Sequence, residues 1–318
     1  MKKRILGRTA IQVSEVAFGG VEIGMPYGIG VNSAADMVSE NEAIRLLHAS
    51  TDAGINFFDT ARLYGNSETI MGKAFAGRRK DVVISTKCRG FRDKQGNLPP
   101  DNEIKKIIEI SVSESLLALQ TDYVDVFMLH QADEEILENQ AIAKAFTDLE
   151  KRGITRAIGA STYTTNETEK AISSGLWDVL QVPYNLMDQR QSELFDEAKQ
   201  RGIGIVIRSV LLKGLLSDRG KELHPALQDV QQHIQRYDDL LGADFADLPT
   251  LAIKFALSSE QVAAVLIGMD RMEYLRQALI IADGLYMHPD GLKRAQGLAY
   301  PDPAFLNLPH WDKMGWLK

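Results

Sequence analysis

Ile55-Asn56-Phe57-Phe58-Asp59-Thr60-Ala61-Arg62-Leu63-Tyr64-Gly65-Asn66-Ser67-Glu68 is the segment from which the architecture of this 318-residue chain can be read. Ile55 to Phe58 has the composition of a buried strand. Thr69 to Ala76 then places Ile70, Met71, Ala74 and Phe75 at helical spacing. A carboxylate at a strand end and a phenol five residues later therefore share one strand-to-helix loop. In a barrel of alternating strands and helices, such loops form the rim where chemistry is done. Taken alone, Asp59 caps a helix and Tyr64 packs in a turn; what ends the next two strands changes that reading.

Outward from this unit the same alternation repeats. Strands are expected at 16–20, 55–59, 81–87, 123–130, 154–161, 178–184, 203–209 and 262–268. The helix after the first strand starts at a capping box formed by Ser39 and Glu42 and runs to Asp52. The others are expected at 67–76, 101–120, 139–152, 165–174, 191–201, 247–258 and 271–283. Eight strands, each followed by a helix, predict a single (β/α)8 TIM barrel domain over 1–318 rather than a doubly wound sheet. No G-x-G-x-x-G follows the first strand, so the usual dinucleotide fingerprint of a doubly wound sheet is missing. A short hairpin around Gly7-Arg8-Thr9 precedes the barrel, and the 21–37 loop, long and glycine-bearing, is marked as functional by its length. Leu211 to Leu248 has room for an extra helix at 225–241, between strand seven and helix seven. The tail from Gly284 lies outside the repeat and is expected over one mouth of the barrel.

Composition sets the outer limits. With 45% hydrophobic and 25% charged residues the chain is of globular type, and a net charge of -7 argues against nucleic acid or an anionic membrane as partner. The basic cluster Arg78-Arg79-Lys80 reads as a solvated connection. Met1-Lys2-Lys3-Arg4 has no apolar segment behind it, no run approaches a membrane span, and the single Cys88 offers neither a disulfide nor a zinc pattern. A cytoplasmic protein without a metal is the expectation; its oligomeric state is not legible.

Lys87 ends the third strand and His130 the fourth, so Asp59, Tyr64, Lys87 and His130 converge on one rim. A phenol ordinarily titrates near pH ~10. A neighbouring ammonium favours the phenolate, and a carboxylate keeps that ammonium charged and placed. Asp59, Lys87 and Tyr64 therefore read as a chain that lowers the phenol's pKa for proton transfer, with His130 as a second hydrogen-bonding group. A barrel filled with Val, Ile and Leu has no structural use for a lysine and a histidine at successive strand ends.

The segment 57–68, together with Ser85-Thr86-Lys87 and Leu129-His130, resembles the catalytic segments of the aldo-keto reductases, and the resemblance extends over nearly the whole chain. It implies an NAD(P)-dependent oxidoreductase in which Tyr64 protonates a carbonyl oxygen as hydride arrives, or takes the proton in the reverse direction. The alternative it implies is a cofactor-sensing regulatory subunit like the potassium-channel β subunits, which keep this fold. The substrate expected is a small carbonyl compound or sugar; Pro26-Tyr27-Gly28 in the first loop favours a polar one.

Cofactor positions follow from the same resemblance. Gly20, Val21 and Asp59 fall beside the cofactor. Ser161 and Gln181 match residues that hold the nicotinamide carboxamide, while Thr162 stands where Asn is usual. Arg208 replaces the aromatic that stacks on the nicotinamide; its planar guanidinium either stacks in its place or points at a polar substrate. Ser209, Leu211 and Gly214 match the pyrophosphate neighbourhood. After the eighth strand, Gly268 and Met269 occupy the Lys-Ser positions of NADPH-binding members. Asp270 would repel a 2′-phosphate and accept from a 2′-hydroxyl, which tips NAD(H) or NADP(H) toward NAD(H), and Arg271 or Arg276 could restore a phosphate contact. Cys88 reads as a small buried hydrophobe, His48, His224, His233, His288 and His310 as surface or satisfied histidines, and Asp133-Glu134-Glu135 as a solvated loop. Tyr27, Trp311 and Trp316 are possible substrate walls.

Overall fold

The computed structural model describes residues 1–242 and 244–317. Strands β1 (Lys3–Ile5) and β2 (Gln12–Ser14) pair antiparallel about a 3-10 turn at Gly7–Thr9. Eight strands follow: β3 (Val16–Gly19), β4 (Phe57–Asp59), β5 (Val83–Lys87), β6 (Val124–Leu129), β7 (Thr155–Ser161), β8 (Val179–Pro183), β9 (Gly204–Arg208) and β10 (Val262–Gly268). They run parallel in chain order and close into a barrel where β10 pairs with β3. The helices are α1 (Val21–Gly24), α2 (Glu40–Asp52), α3 (Ser67–Phe75), α4 (Asp101–Leu119), α5 (Glu134–Glu138), α6 (Gln140–Lys151), α7 (Thr165–Ser174), α8 (Phe195–Gln200), α9 (Gln228–Gln235), α10 (Leu248–Leu257), α11 (Met272–Ile281), α12 (Pro289–Gln296) and α13 (Leu308–Lys313).

Strands of a parallel barrel are buried on both faces and need apolar residues on both. On β6, Val126 and Met128 belong to the interior cluster while Val124, Phe127 and Leu129 belong to the layer beneath the helices. Leu6, Ile11 and Val13 join the interior cluster. The hairpin therefore plugs the end of the barrel where the strands begin, and the opposite rim is left for a site.

Several local expectations are corrected. The helix expected over 225–241 is broken into a 3-10 turn (Pro225–Leu227), α9 and a second 3-10 segment (Arg236–Leu240). Its buried residues Leu227, Val230, Ile234, Tyr237 and Leu240 recur mostly every third residue, the period of a 3-10 helix. The helix expected over 191–201 likewise starts as a 3-10 turn, Arg190–Leu194, before α8. Arg78-Arg79-Lys80 is not simply solvated: Arg79 donates to the buried carboxylate of Asp125 at 2.8 Å and to the Val82 and Tyr123 carbonyls. Asp133 is not a free loop residue; it caps α5 through Ile136 N and is gripped by Arg92, which also bonds Glu135. The tail starts at the plugged end, where Tyr286 Oη donates to Glu15 at 2.6 Å, and climbs until Asp312 pairs with Lys213 at the open rim. Among the described residues no helix is long and apolar enough to cross a membrane.

Candidate active site

Parallel register carries residues at the ends of adjacent strands to one rim. Asp59 closes β4 and Lys87 closes β5, while His130 directly follows β6. Lys87 Nζ lies 2.6 Å from Asp59 Oδ2, 3.1 Å from the Thr60 carbonyl and 3.4 Å from Tyr64 Oη. The Tyr64 and His130 rings meet edge to face, centroids 5.4 Å apart. The structure thus brings together all four residues that the sequence singled out.

Their electrostatics differ from the sequence expectation in one respect. Tyr64 is raised well above the ordinary phenol value, first by burial and then by the Asp59 carboxylate. Lys87, wholly buried, is lowered by that burial against the opposing pull of Asp59. The physical reason is that Asp59 sits closer to the ammonium than the phenol does, so the pair presents little net positive charge to Tyr64 and desolvation of the phenolate dominates. Tyr64 is therefore a phenol that keeps its proton at neutral pH. His130 is pushed down to about 3 by burial and by the Lys87 and Arg208 cations, so its ring is neutral, and its buried Nδ1 has no partner among the described residues.

Around this centre the remaining residues divide. Gln181 on β8 donates from Nε2 to Asp59 Oδ1 at 2.9 Å, so each Asp59 oxygen has its own donor. Ser161 and Thr162 are buried at the end of β7, and the Thr162 hydroxyl is turned toward Thr168 of α7 at 2.7 Å. Arg208 lies over the Tyr163 ring, 4.1 Å from its centroid, and donates to the Thr162 carbonyl at 2.9 Å and to Ser209 Oγ at 3.3 Å, while its buried Nε has no partner among the described residues. Beyond it, Ser209, Leu212, Lys213 and Gly214 all take positive φ, and Leu211 sits among them. Gly20 serves backbone packing, because its amide bonds Asp59 O at 2.8 Å and a Cβ there would meet that oxygen at 2.7 Å. Arg271 is paired with Asp270 at 3.2 Å beyond β10.

A cavity of about 400 Å³ opens above Tyr64 and His130, lined also by Val21, Met25, Tyr27, Leu63, Lys213 and Asp312. The Lys213 ammonium lies 5.0 Å from the Tyr27 ring centroid. Trp311 does not line this cavity; it is fully buried against Phe305, and Trp316 stacks near His224. Cys88 is buried and pushed up to about 12 by that burial, and His48 is satisfied by the Ala74 carbonyl at 2.7 Å. Sequence reasoning passed over Glu22, Tyr163, Lys213 and Asp312. For Glu22, Tyr163 and Lys213 the signal was a place just after a strand end, which many solvated residues share, and Asp312, in α13 of the tail, carried no signal.

The aldo/keto reductase family profile matches residues 17–283, and the chain belongs to that family of oxidoreductases. It is 28% identical to the L-galactose dehydrogenase of Arabidopsis thaliana over 94% of each protein. It is also 28% identical to the NADH-specific methylglyoxal reductase of Escherichia coli, covering 87% of this chain and 92% of that one. The holo form of aldo-keto reductase AKR11C1 from Bacillus halodurans superposes with a TM-score of 0.78 at 28% identity, over 94% of this chain and 96% of that one. The family uses NAD(P)(H) and acts on small carbonyl or sugar substrates.

Proposed function

We propose that this protein is a cytoplasmic, NAD(P)-dependent reductase of a small polar carbonyl compound, a sugar or hydroxyaldehyde, with Tyr64 as the general acid. The observation that carries the reading is the Asp59–Lys87–Tyr64 contact chain at a buried rim, with neutral His130 set edge-on beside the phenol. The nicotinamide supplies hydride when bound; the protein's part is to hold substrate and move a proton. A substrate oxygen between Tyr64 Oη and His130 would receive the phenol proton as negative charge develops on it, and Lys87 would stabilise the phenolate left behind. Asp59, held by Gln181, keeps the ammonium in place. For oxidation the same groups run in reverse, with the phenolate as base.

Among the described residues, His130 Nδ1, Arg208 Nε and Glu22 Oε2 are buried without a hydrogen-bond partner, and they fit a polar ligand at this rim. Ser161, Arg208 and the turn from Ser209 to Gly214 would hold the nicotinamide and pyrophosphate, with Asp270 toward the ribose. Arg208 already stacks on Tyr163, which supports a role in binding polar groups rather than replacement of the missing aromatic. The charged pair Lys213 and Asp312 at the cavity wall supports a hydroxylated substrate over an apolar one.

The test is steady-state oxidation of NADH and of NADPH against aldoses, simple aldehydes and ketones. Many turnovers on a hydroxylated carbonyl are expected. Tight nucleotide binding with at most one slow turnover would sink the reading and favour a cofactor-sensing regulatory subunit.

A further inference from the structure

We infer that Glu22 sets the nucleotide preference of this protein, by placing a carboxyl where β10 ends and so admitting a ribose diol while disfavouring a phosphomonoester. The inference rests on the NAD(P)-dependent reading above.

Barrels of this kind commonly hold phosphate at the loops after the seventh and eighth barrel strands. Here those strands are β9 and β10. The β9 loop is suited to an anion, with Arg208 at its base and Arg219 within it. The β10 end is not. Glu22 stands on α1, directly after β3, and β3 pairs with β10 so that Gly19 faces Gly268. The carboxyl reaches across that pairing and occupies the space above Gly268 that any side chain there would need. Glycine at 268 and glutamate at 22 are thus one arrangement: the carboxyl fits only because no Cβ stands in its way. No cation can project from 268 while it does.

Oε2 of Glu22 is buried and has no hydrogen-bond partner among the described residues, so one oxygen is left to meet a ligand. Burial and the nearby Asp270 carboxylate raise Glu22 to about 8. The other groups facing it are Asp59 of β4, Arg219 of the β9 loop, the Tyr64 phenol, and the Tyr27 phenol, which its own burial and Glu22 raise further. Arg271, close by, is paired with Asp270. An ionised carboxyl accepts two bonds from ribose hydroxyls and repels a phosphate dianion; a protonated one still offers the diol a donor and an acceptor but has no charge with which to repel the phosphate.

The experiment is fluorescence titration of the full-length protein with NADH and with NADPH at pH 7 and pH 9, for the wild type, Glu22→Gln and Gly268→Ala. The Gly268→Ala change displaces a flexible carboxyl rather than backbone, so the barrel should tolerate it. Expected are an NADH preference that widens as pH rises through 8 in the wild type, and a preference that is pH-independent in Glu22→Gln. NADPH affinity should rise about tenfold in both variants at pH 9, the scale of one like-charge contact relieved near a protein surface. Equal affinity of the wild type for the two nucleotides at pH 9, or variants indistinguishable from it there, would overturn the assignment while leaving the reductase reading intact. Failure of the wild type to bind either nucleotide would overturn both.

Discussion

At the scale of single residues, what matters is which group holds a proton at neutral pH. Burial leaves Tyr64 protonated and His130 neutral, so the phenol is the donor and the imidazole a hydrogen-bonding neighbour. Tyr64→Phe is expected to lower kcat by two to four orders of magnitude, roughly the range for a lost general acid, while nucleotide affinity by fluorescence stays near the wild-type value. Equal losses of rate and affinity would remove Tyr64 from that role. His130 gives a second expectation. Its folded value near 3 lies below the ordinary 6.5, so between those values the unfolded chain carries a proton that the native one does not. The stability that this neutral histidine contributes is present above pH 6.5 and is lost as pH falls toward 3, by at most about 1.4 kcal/mol per unit. Urea titrations of His130→Asn at pH 7 and pH 4.5 should show a smaller drop than those of the wild type.

At the scale of elements, the loop from β4 to α3 is braced from below. Glu68, 1% exposed, opens α3, accepts from Thr86 Oγ1 on β5 at 2.6 Å and ion-pairs with Arg62 in the loop itself. Thr60 Oγ1 donates to Ser67 Oγ at 2.8 Å, closing the loop on the helix. Thr86 precedes Lys87, so this brace joins the two backbone segments that carry Lys87 and Tyr64. Arg62 is a quarter exposed and keeps Glu114 at 3.5 Å, so the group left unsatisfied is the buried Thr86 hydroxyl, and Glu68→Ala should cost about 1–3 kcal/mol. Thr86→Val removes only a hydroxyl and should cost about 1–3 kcal/mol while lowering kcat with KM little changed, because the phenol and ammonium lose their relative placement. A kcat for Thr86→Val equal to wild type at full folding would show that the brace serves stability alone.

Across the whole molecule, the rim is assembled from segments far apart in the chain. The 21–37 loop, the β9 loop and the tail meet there: Ile29 N donates to the Lys213 carbonyl at 3.0 Å, Arg219 donates to the Ile29 carbonyl at 3.2 Å, and Lys213 pairs with Asp312 of α13. Asp312 is half exposed, so the pair should add little to stability, about 0–1 kcal/mol. Asp312→Asn is therefore expected to leave the melting temperature nearly unchanged while raising KM for a polar substrate several-fold. An unchanged KM would place Asp312 outside the substrate's reach.

The amino-acid sequence alone determined the repeat, the barrel and the four residues at the rim. Strand ends, helix caps and apolar periods are local signals, and in a parallel barrel they fix which residues share an end. It did not determine the broken helix at 225–241, whose three-residue period competed with helical propensity, nor the burial of Arg79, whose partner Asp125 lies on the next strand. Tertiary structure also decided the direction of the Tyr64 shift, because the balance between an ammonium and desolvation depends on distances that spacing does not supply. The partnership of Glu22 with Gly268 was decided there as well. Those residues are 246 positions apart, and only closure of β10 onto β3 puts one in the space the other leaves.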